Sequence, residues 1–198
     1  DLVIHALGLS AEHKNVNLFE RETRTPEFLK VNPLHTIPAI DDDGFSLWGS
    51  QAINTYLVSK YGKDDSLYPK DLQRRAIVDQ RLHYSNDVFY IMKSATAPLV
   101  YFNQKPSTEV LSKIREAQEN VEKLLTGHKF MGGDSLTVAD YSYITLMDVL
   151  EVYCPTEGKF PLTEKWFERC RSTMKDFEKV NKNGSSQRVA AIKRALAS

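Results

Sequence analysis

The sequence predicts an α+β protein in two parts, a small βαββα unit followed by an all-α domain. Three observations carry that reading. The stretch from Asn32 to Leu57, NPLHTIPAIDDDGFSLWGSQAINTYL, holds two short apolar segments around an Asp43-Gly44 turn, then Ala52, Ile53, Tyr56 and Leu57 at helical spacing. That is the pattern of a hairpin delivering the N-terminus of a helix. Residues 63–70 lie in a polar, turn-rich stretch and read as a linker. Beyond it every periodic segment has the period of a helix.

In chain order, Asp1 to Gly8 reads as the second half of an amphipathic helix ending at a C-cap glycine. Lys14 to Leu18 is expected as a short strand and Pro26 to Val31 as a helical turn. Residues 37–40 and 45–48 form the expected hairpin, and Ser50, as N-cap, starts a helix to Tyr61. Leu72 to about Phe102 is one long helix with Pro98 as a possible interruption. Thr108 to Thr126 carries apolar residues at 110, 114, 117, 121 and 124, one buried stripe. Val138 to Tyr153 is apolar nearly all round, as expected at the centre of a bundle. Two or three shorter helices follow from about Leu162 to Leu196, broken at Asn183-Gly184. In Leu136-Thr-Val-Ala-Asp-Tyr141, Thr137 and Asp140 have capping-box spacing, with Leu136 and Tyr141 placed as a staple. Both Thr137 and Asp140 are read as structural. The division is thus 1–62, a 63–70 linker and 71–198.

Composition narrows the function. The 198 residues hold 26 Lys plus Arg against 26 Asp plus Glu, and no basic run stands out, which argues against a nucleic-acid or anionic-membrane partner. At 41% hydrophobic residues the chain suits a globular protein rather than a disordered one. The two cysteines, Cys154 and Cys170, lack CxxC or Cys/His spacing, so no disulfide framework, zinc site or other metal is expected. No apolar run is long enough to span a bilayer, no signal segment is visible, and the cytosol is the default. A Gly-rich phosphate loop is missing, which argues against nucleotide chemistry.

The Asn32–Leu57 stretch, with Ile37-Pro38 before the hairpin and Ser50 at the helix start, closely resembles the glutathione-binding half of the glutathione S-transferases, insect delta and epsilon classes, nearest epsilon. The capping box lies at the distance the family places it. The resemblance covers most of the chain and implies a thioredoxin-like N-terminal domain packed on an all-α bundle. The family has a strand and loop before the first helix, so the N-terminal domain is expected to be incomplete here. The serine that holds the thiolate of glutathione lies in that loop, upstream of Asp1. No residue of this sequence is named catalytic, and neither Ser10 nor Ser50 is promoted to the role.

Glutathione, the implied co-substrate, presents two carboxylates, an ammonium and a thiol. Ser50 at a helix N-terminus suits the γ-glutamyl carboxylate through its hydroxyl and neighbouring amides. By resemblance, Ile37 and a cis Pro38 turn backbone groups toward the cysteinyl unit, and His35 lies near the glycyl carboxylate. Thr23 stands where some relatives have another histidine, which weakens or removes that contact. Gly49 departs from the family's acidic residue, whose carboxylate pairs with the ammonium; that loss weakens binding roughly ten- to a hundredfold. Gln51 offers a neutral carbonyl as a partial substitute.

The resemblance implies a hydrophobic substrate between the domains, against Phe89, Tyr90, Lys93, Ala97 and Tyr101 of the long helix by their position relative to epsilon-class relatives, residues that ordinary core or dimer packing would equally explain. Three functions are compatible with these residues. The first is a transferase joining the glutathione thiolate to hydrophobic electrophiles in detoxification. The second, favoured by Gly49, is a ligandin-like carrier with weak or no catalysis, and the third is a non-enzymatic dimerisation module. The resemblance also implies a homodimer.

Overall fold

The computed structural model describes residues 1–197, and of residues 182 and 183 the backbone alone. Helix α1 (Leu2–Leu7) stops at Gly8, whose φ of 69° is the left-handed geometry a C-terminal glycine accepts freely. A 3-10 turn (Glu22–Arg24) leads into α2 (Pro26–Val31), with proline at its start and the Thr25 hydroxyl accepting from the Phe28 amide. Strands β1 (Ala39–Asp42) and β2 (Phe45–Trp48) pair antiparallel, Ala39 opposite Trp48 and Asp42 opposite Phe45. Both turn residues, Asp43 and Gly44, have positive φ (53° and 87°), the two-residue hairpin turn that matches strand twist. Helix α3 (Ser50–Tyr61) follows directly.

The rest is helical: α4 (Leu72–Phe102), α5 (Thr108–Leu124), α6 (Val138–Tyr153), α7 (Pro161–Thr173) and α8 (Phe177–Ala197). Helix α6 is the centre, buried over most of its length and packed on α4, α5, α7 and α8. Leu2 and Val3 of α1 and Ile53, Leu57 and Val58 of α3 join the same core, so the N-terminal unit shares its apolar interior with the bundle. The link between the units is tied down where the Val138 amide donates to the Leu67 carbonyl at 2.9 Å.

Four expectations need correction. Residues 14–18 form no strand. Asn17 instead turns the chain locally, accepting from the amides of Phe19 (3.0 Å) and Glu20 (3.3 Å), a side-chain competition that replaces a ladder. The first hairpin strand starts at Ala39, one residue past Pro38, which has no N–H to contribute. Pro98 does not interrupt α4, because Ala95 and Leu99 on either side of it are buried and hold the helix in place. Helix α8 runs through Asn183-Gly184 unbroken, pinned at both ends of that stretch by buried Phe177, Ser185 and Ile192.

Candidate functional site

The site is built where the loop before β1 meets the start of α3. Asn32 is fully buried and organises that loop. Its amide donates to the Thr36 carbonyl (2.7 Å) and hydroxyl (2.9 Å), while its carbonyl oxygen accepts from the Leu34 amide (2.9 Å). This grip holds His35 at a φ of 48°, with its amide bonded to the Asn32 carbonyl at 3.0 Å. The sequence marks Asn32 only as a turn residue; its burial depends on Thr36, four residues on.

The Ile37-Pro38 peptide is cis, as the resemblance implies. The Gly49 amide donates to the Pro38 carbonyl at 3.2 Å, continuing the hairpin one step beyond the ladder. Ile37, an exposed residue, directly precedes the proline that this bond joins to the start of α3. Gly49, not Ser50, is the N-cap, at φ 87° and ψ 118°; Ser50 is the first helical residue and is exposed. Ser50 and Ile37 are both exposed, and the first amides of α3 have no partner within the helix, a setting suited to a carboxylate. Thr23 is buried at 6% exposure.

Gln51 reaches the other domain. Its amide nitrogen donates to Ser85 Oγ of α4 at 2.8 Å, and its carbonyl oxygen accepts from the Ser50 hydroxyl. Ser85, fully buried, donates in turn to the Leu82 carbonyl at 2.6 Å. One turn of α4 beyond Ser85 begins the predicted aromatic face. Phe89, Lys93, Ala97 and Tyr101 repeat every four residues, with Tyr90 beside them. This face is offset from the core face of Val88, Met92, Ala95 and Leu99, and Phe89 (38%), Tyr90 (64%) and Tyr101 (49%) are exposed rather than core. The Tyr101 ring also meets Phe19, a residue the sequence reading did not single out, with centroids 5.5 Å apart.

On the other face of α3, Asp42 accepts from Tyr56 OH (2.7 Å), Tyr61 OH (2.7 Å) and Lys60 Nζ (2.8 Å). Lys60, then the two phenols, hold its carboxyl down to about 2. This cluster clamps the hairpin to the end of α3. Thr137 and Asp140 form the capping pair at the start of α6, the Thr137 amide donating to Asp140 Oδ2 at 2.8 Å. None of the predicted site residues lines the groove of about 700 Å³ between α6, α7 and α8. Among the described residues, no group of three or more His, Cys, Asp or Glu could hold a metal ion, and no helix is long and apolar enough to cross a membrane.

Comparison with known proteins now decides the family. The family model for the glutathione S-transferase N-terminal domain matches residues 1–59, and the one for its C-terminal domain matches residues 82–173. The chain belongs to the glutathione S-transferase family. It is 39% identical over 189 residues to glutathione S-transferase 1 of Manduca sexta, covering 93% of this chain and 86% of that protein. An epsilon-class glutathione S-transferase from the housefly, Musca domestica, superposes with a TM-score of 0.92 at 40% identity, over 98% of this chain and 90% of its own. A glutathione transferase homologue from Drosophila mojavensis, solved with bound glutathione, has a TM-score of 0.92 at 36% identity and the same coverage of each chain. Epsilon- and delta-class insect enzymes thus stand among its structural relatives, as the motif around Ser50 implies. The chain is an enzyme of this family by resemblance. The transferase reading, conjugation of glutathione to hydrophobic electrophiles, stands on these matches, while none of them supports the carrier alternative.

Proposed function

We propose that residues 1–62 hold glutathione and that residues 71–198 supply the hydrophobic electrophile site. The observation that carries this is the Gly49 to Pro38 hydrogen bond, which sets the cis Ile37-Pro38 peptide beside the first turn of α3. In this reading the Ile37 backbone pairs with the cysteinyl unit as a strand would. The Ser50 hydroxyl and first amides of α3 take the γ-glutamyl carboxylate, and His35 faces the glycyl carboxylate. The electrophile lies along Phe89, Tyr90, Lys93, Ala97 and Tyr101, where the exposed rings of Phe89, Tyr90 and Tyr101 suit a hydrophobic ligand.

The reaction needs the thiolate, since a free thiol near pKa ~8.5 is mostly protonated at neutral pH. The glutathione sulfur gives its proton to solvent and its electron pair to the electrophilic carbon; a C–S bond forms and the leaving group departs with its electrons. The group that holds the thiolate is assigned to no residue from 1 to 198. The capping pair of Thr137 and Asp140 remains structural, and no metal enters the scheme. The protein works as a cytosolic homodimer, with exposed Phe45 and Leu72 among the apolar surface a second copy covers.

Calorimetric titration with glutathione tests the site. Saturable binding in the micromolar to low millimolar range supports it, and no detectable heat at millimolar glutathione overturns it. Light scattering of the same sample reads the dimer.

A further inference from the structure

We propose that Lys93 selects, among electrophiles, those that join an aromatic body to an anionic group such as a carboxylate. The role rests on the reading of the α4 face as the electrophile site and gives that site a substrate class. Charge is unevenly distributed along α4. Its first half carries Arg74, Arg75, Asp79, Arg81 and Asp87, whereas between Asp87 and Lys105 the single charged residue of the sequence is Lys93. It stands in the row Phe89, Lys93, Ala97 and Tyr101, about 6 Å along the axis from the first ring and about 12 Å from the last.

A helical lysine commonly meets a carboxylate three or four residues away, as Lys113 meets Glu109 at 2.6 Å. At those positions Lys93 has Phe89, Tyr90, Thr96 and Ala97, and Asp87, six residues back, lies about 120° round the helix. Among the described residues, Lys93 forms no hydrogen bond or ion pair. Rings stand on either side of it along the row. Phe89 and Tyr90 meet edge to face at 5.7 Å, and Tyr101 meets Phe19 at 5.5 Å. A wholly apolar ligand laid along this row covers the ammonium and removes its water without replacing it, which is unfavourable. An anionic group on the ligand pairs with the ammonium instead, and the rings around the pair keep water from weakening it. The aromatic body packs on the rings while the charge decides between ligands of equal size. The reaction is unaltered: the sulfur still bonds the electrophilic carbon, the leaving group departs with its electron pair, and the anionic group is a spectator.

The test is calorimetric titration with two conjugates of equal size, S-(4-carboxybenzyl)glutathione and its neutral amide, S-(4-carbamoylbenzyl)glutathione. Both are products, so binding is read without turnover. The unaltered protein binds the carboxylate roughly three- to tenfold more tightly at low salt, between the range of an exposed ion pair and that of a hydrogen bond to a charged group. High salt narrows the difference. Lys93→Met brings the two affinities together by weakening the carboxylate, Lys93→Arg keeps the preference, and Lys93→Glu reverses it. Equal affinity of the unaltered protein for the two conjugates overturns the proposal and leaves the glutathione site standing. A preference that survives in Lys93→Met overturns it too, by assigning the selection to another cation. Binding of neither conjugate overturns the glutathione site itself, and this role with it.

Discussion

Asp140 and Trp166, 26 residues apart, meet in the core where the indole N–H donates to the Asp140 carboxylate at 2.8 Å. The same carboxylate accepts from the amides of Met131 and Thr137, each at 2.8 Å, and from the Thr137 hydroxyl at 3.2 Å. It is thus more than a helix cap. It gathers the end of the 129–131 loop, the start of α6 and the face of α7 around one fully buried group. Asp140→Ala leaves three buried N–H donors without partners, each worth about 1–3 kcal/mol. The expected loss of unfolding free energy is at least about 3 kcal/mol, read by urea denaturation. Trp166→Phe removes a single donor and loses about 1–3 kcal/mol by the same scale, with a further cost for the cavity a smaller ring leaves. A change below about 0.5 kcal/mol for Asp140→Ala, the size of a surface substitution, would refute the organising role.

Acid acts on the hairpin clamp. Lys60, Tyr61 and Tyr56 lower the Asp42 carboxyl from 3.8 to about 2. A carboxyl lowered on folding gives stability that is present above its unfolded value and fades as pH falls through its folded one. The contribution is therefore intact above pH 4 and is lost on acidification from about 4 to about 2. In thermal melts, Asp42→Asn starts less stable at pH 7 and loses less than the parent across that window. Parallel pH curves for the two proteins would exclude Asp42 as the source.

How much of this was legible depends on the range of the interaction. The Asp43-Gly44 turn, the extent of α3 and the Thr137/Asp140 cap are local patterns, and each stands in the structure where the residues imply, while the cis Ile37-Pro38 bond stands where the family resemblance implies. The failures share a cause. Lys14–Leu18 has strand-like alternation, but Asn17 bonds the following amides itself. Asn183-Gly184 is a local breaker, overridden by Ser185, whose hydroxyl bonds Asp148 of α6 at 2.7 Å. At the candidate site, His35, Ser50 and Gln51 were visible as residue types at meaningful positions. Asn32 and Ser85 were not, since a buried polar residue explains itself only through its partner.

Gly49 sets two effects against each other. Its φ of 87° suits glycine, while a Cβ built there meets nothing within 4 Å. Space is free; the backbone is the obstacle. Any side chain at this φ costs about 1–3 kcal/mol of strain, and a carboxylate adds a charge-assisted hydrogen bond to an ammonium worth about 1.5–3 kcal/mol. Gly49→Glu should therefore melt at a lower temperature yet bind glutathione about tenfold more tightly. Gly49→Ala isolates the strain: it loses similar stability with no gain in affinity. Equal affinities for Glu and Ala at this position would show that the ammonium does not face it.

The Phe19 and Tyr101 rings meet at 5.5 Å and 57°, although Phe19 is 75% exposed. Such a pair is held weakly, by about 0.5–1.5 kcal/mol, so it can part to admit a ligand and then pack on it. Phe19 sits on the loop after α1 and Tyr101 near the end of α4, about 18 Å along the helix from Phe89. The contact marks the outer end of the aromatic face. Phe19→Ala should raise KM for an aromatic electrophile by roughly two- to tenfold and leave KM for glutathione unchanged, because the ring lies at the far end from Ser85. For a short alkyl halide the rise should be smaller, since no ring is available to stack. Tyr101→Phe keeps the ring and should behave as the parent does. A shift in the glutathione KM instead would assign Phe19 to holding the loop rather than to choosing the electrophile.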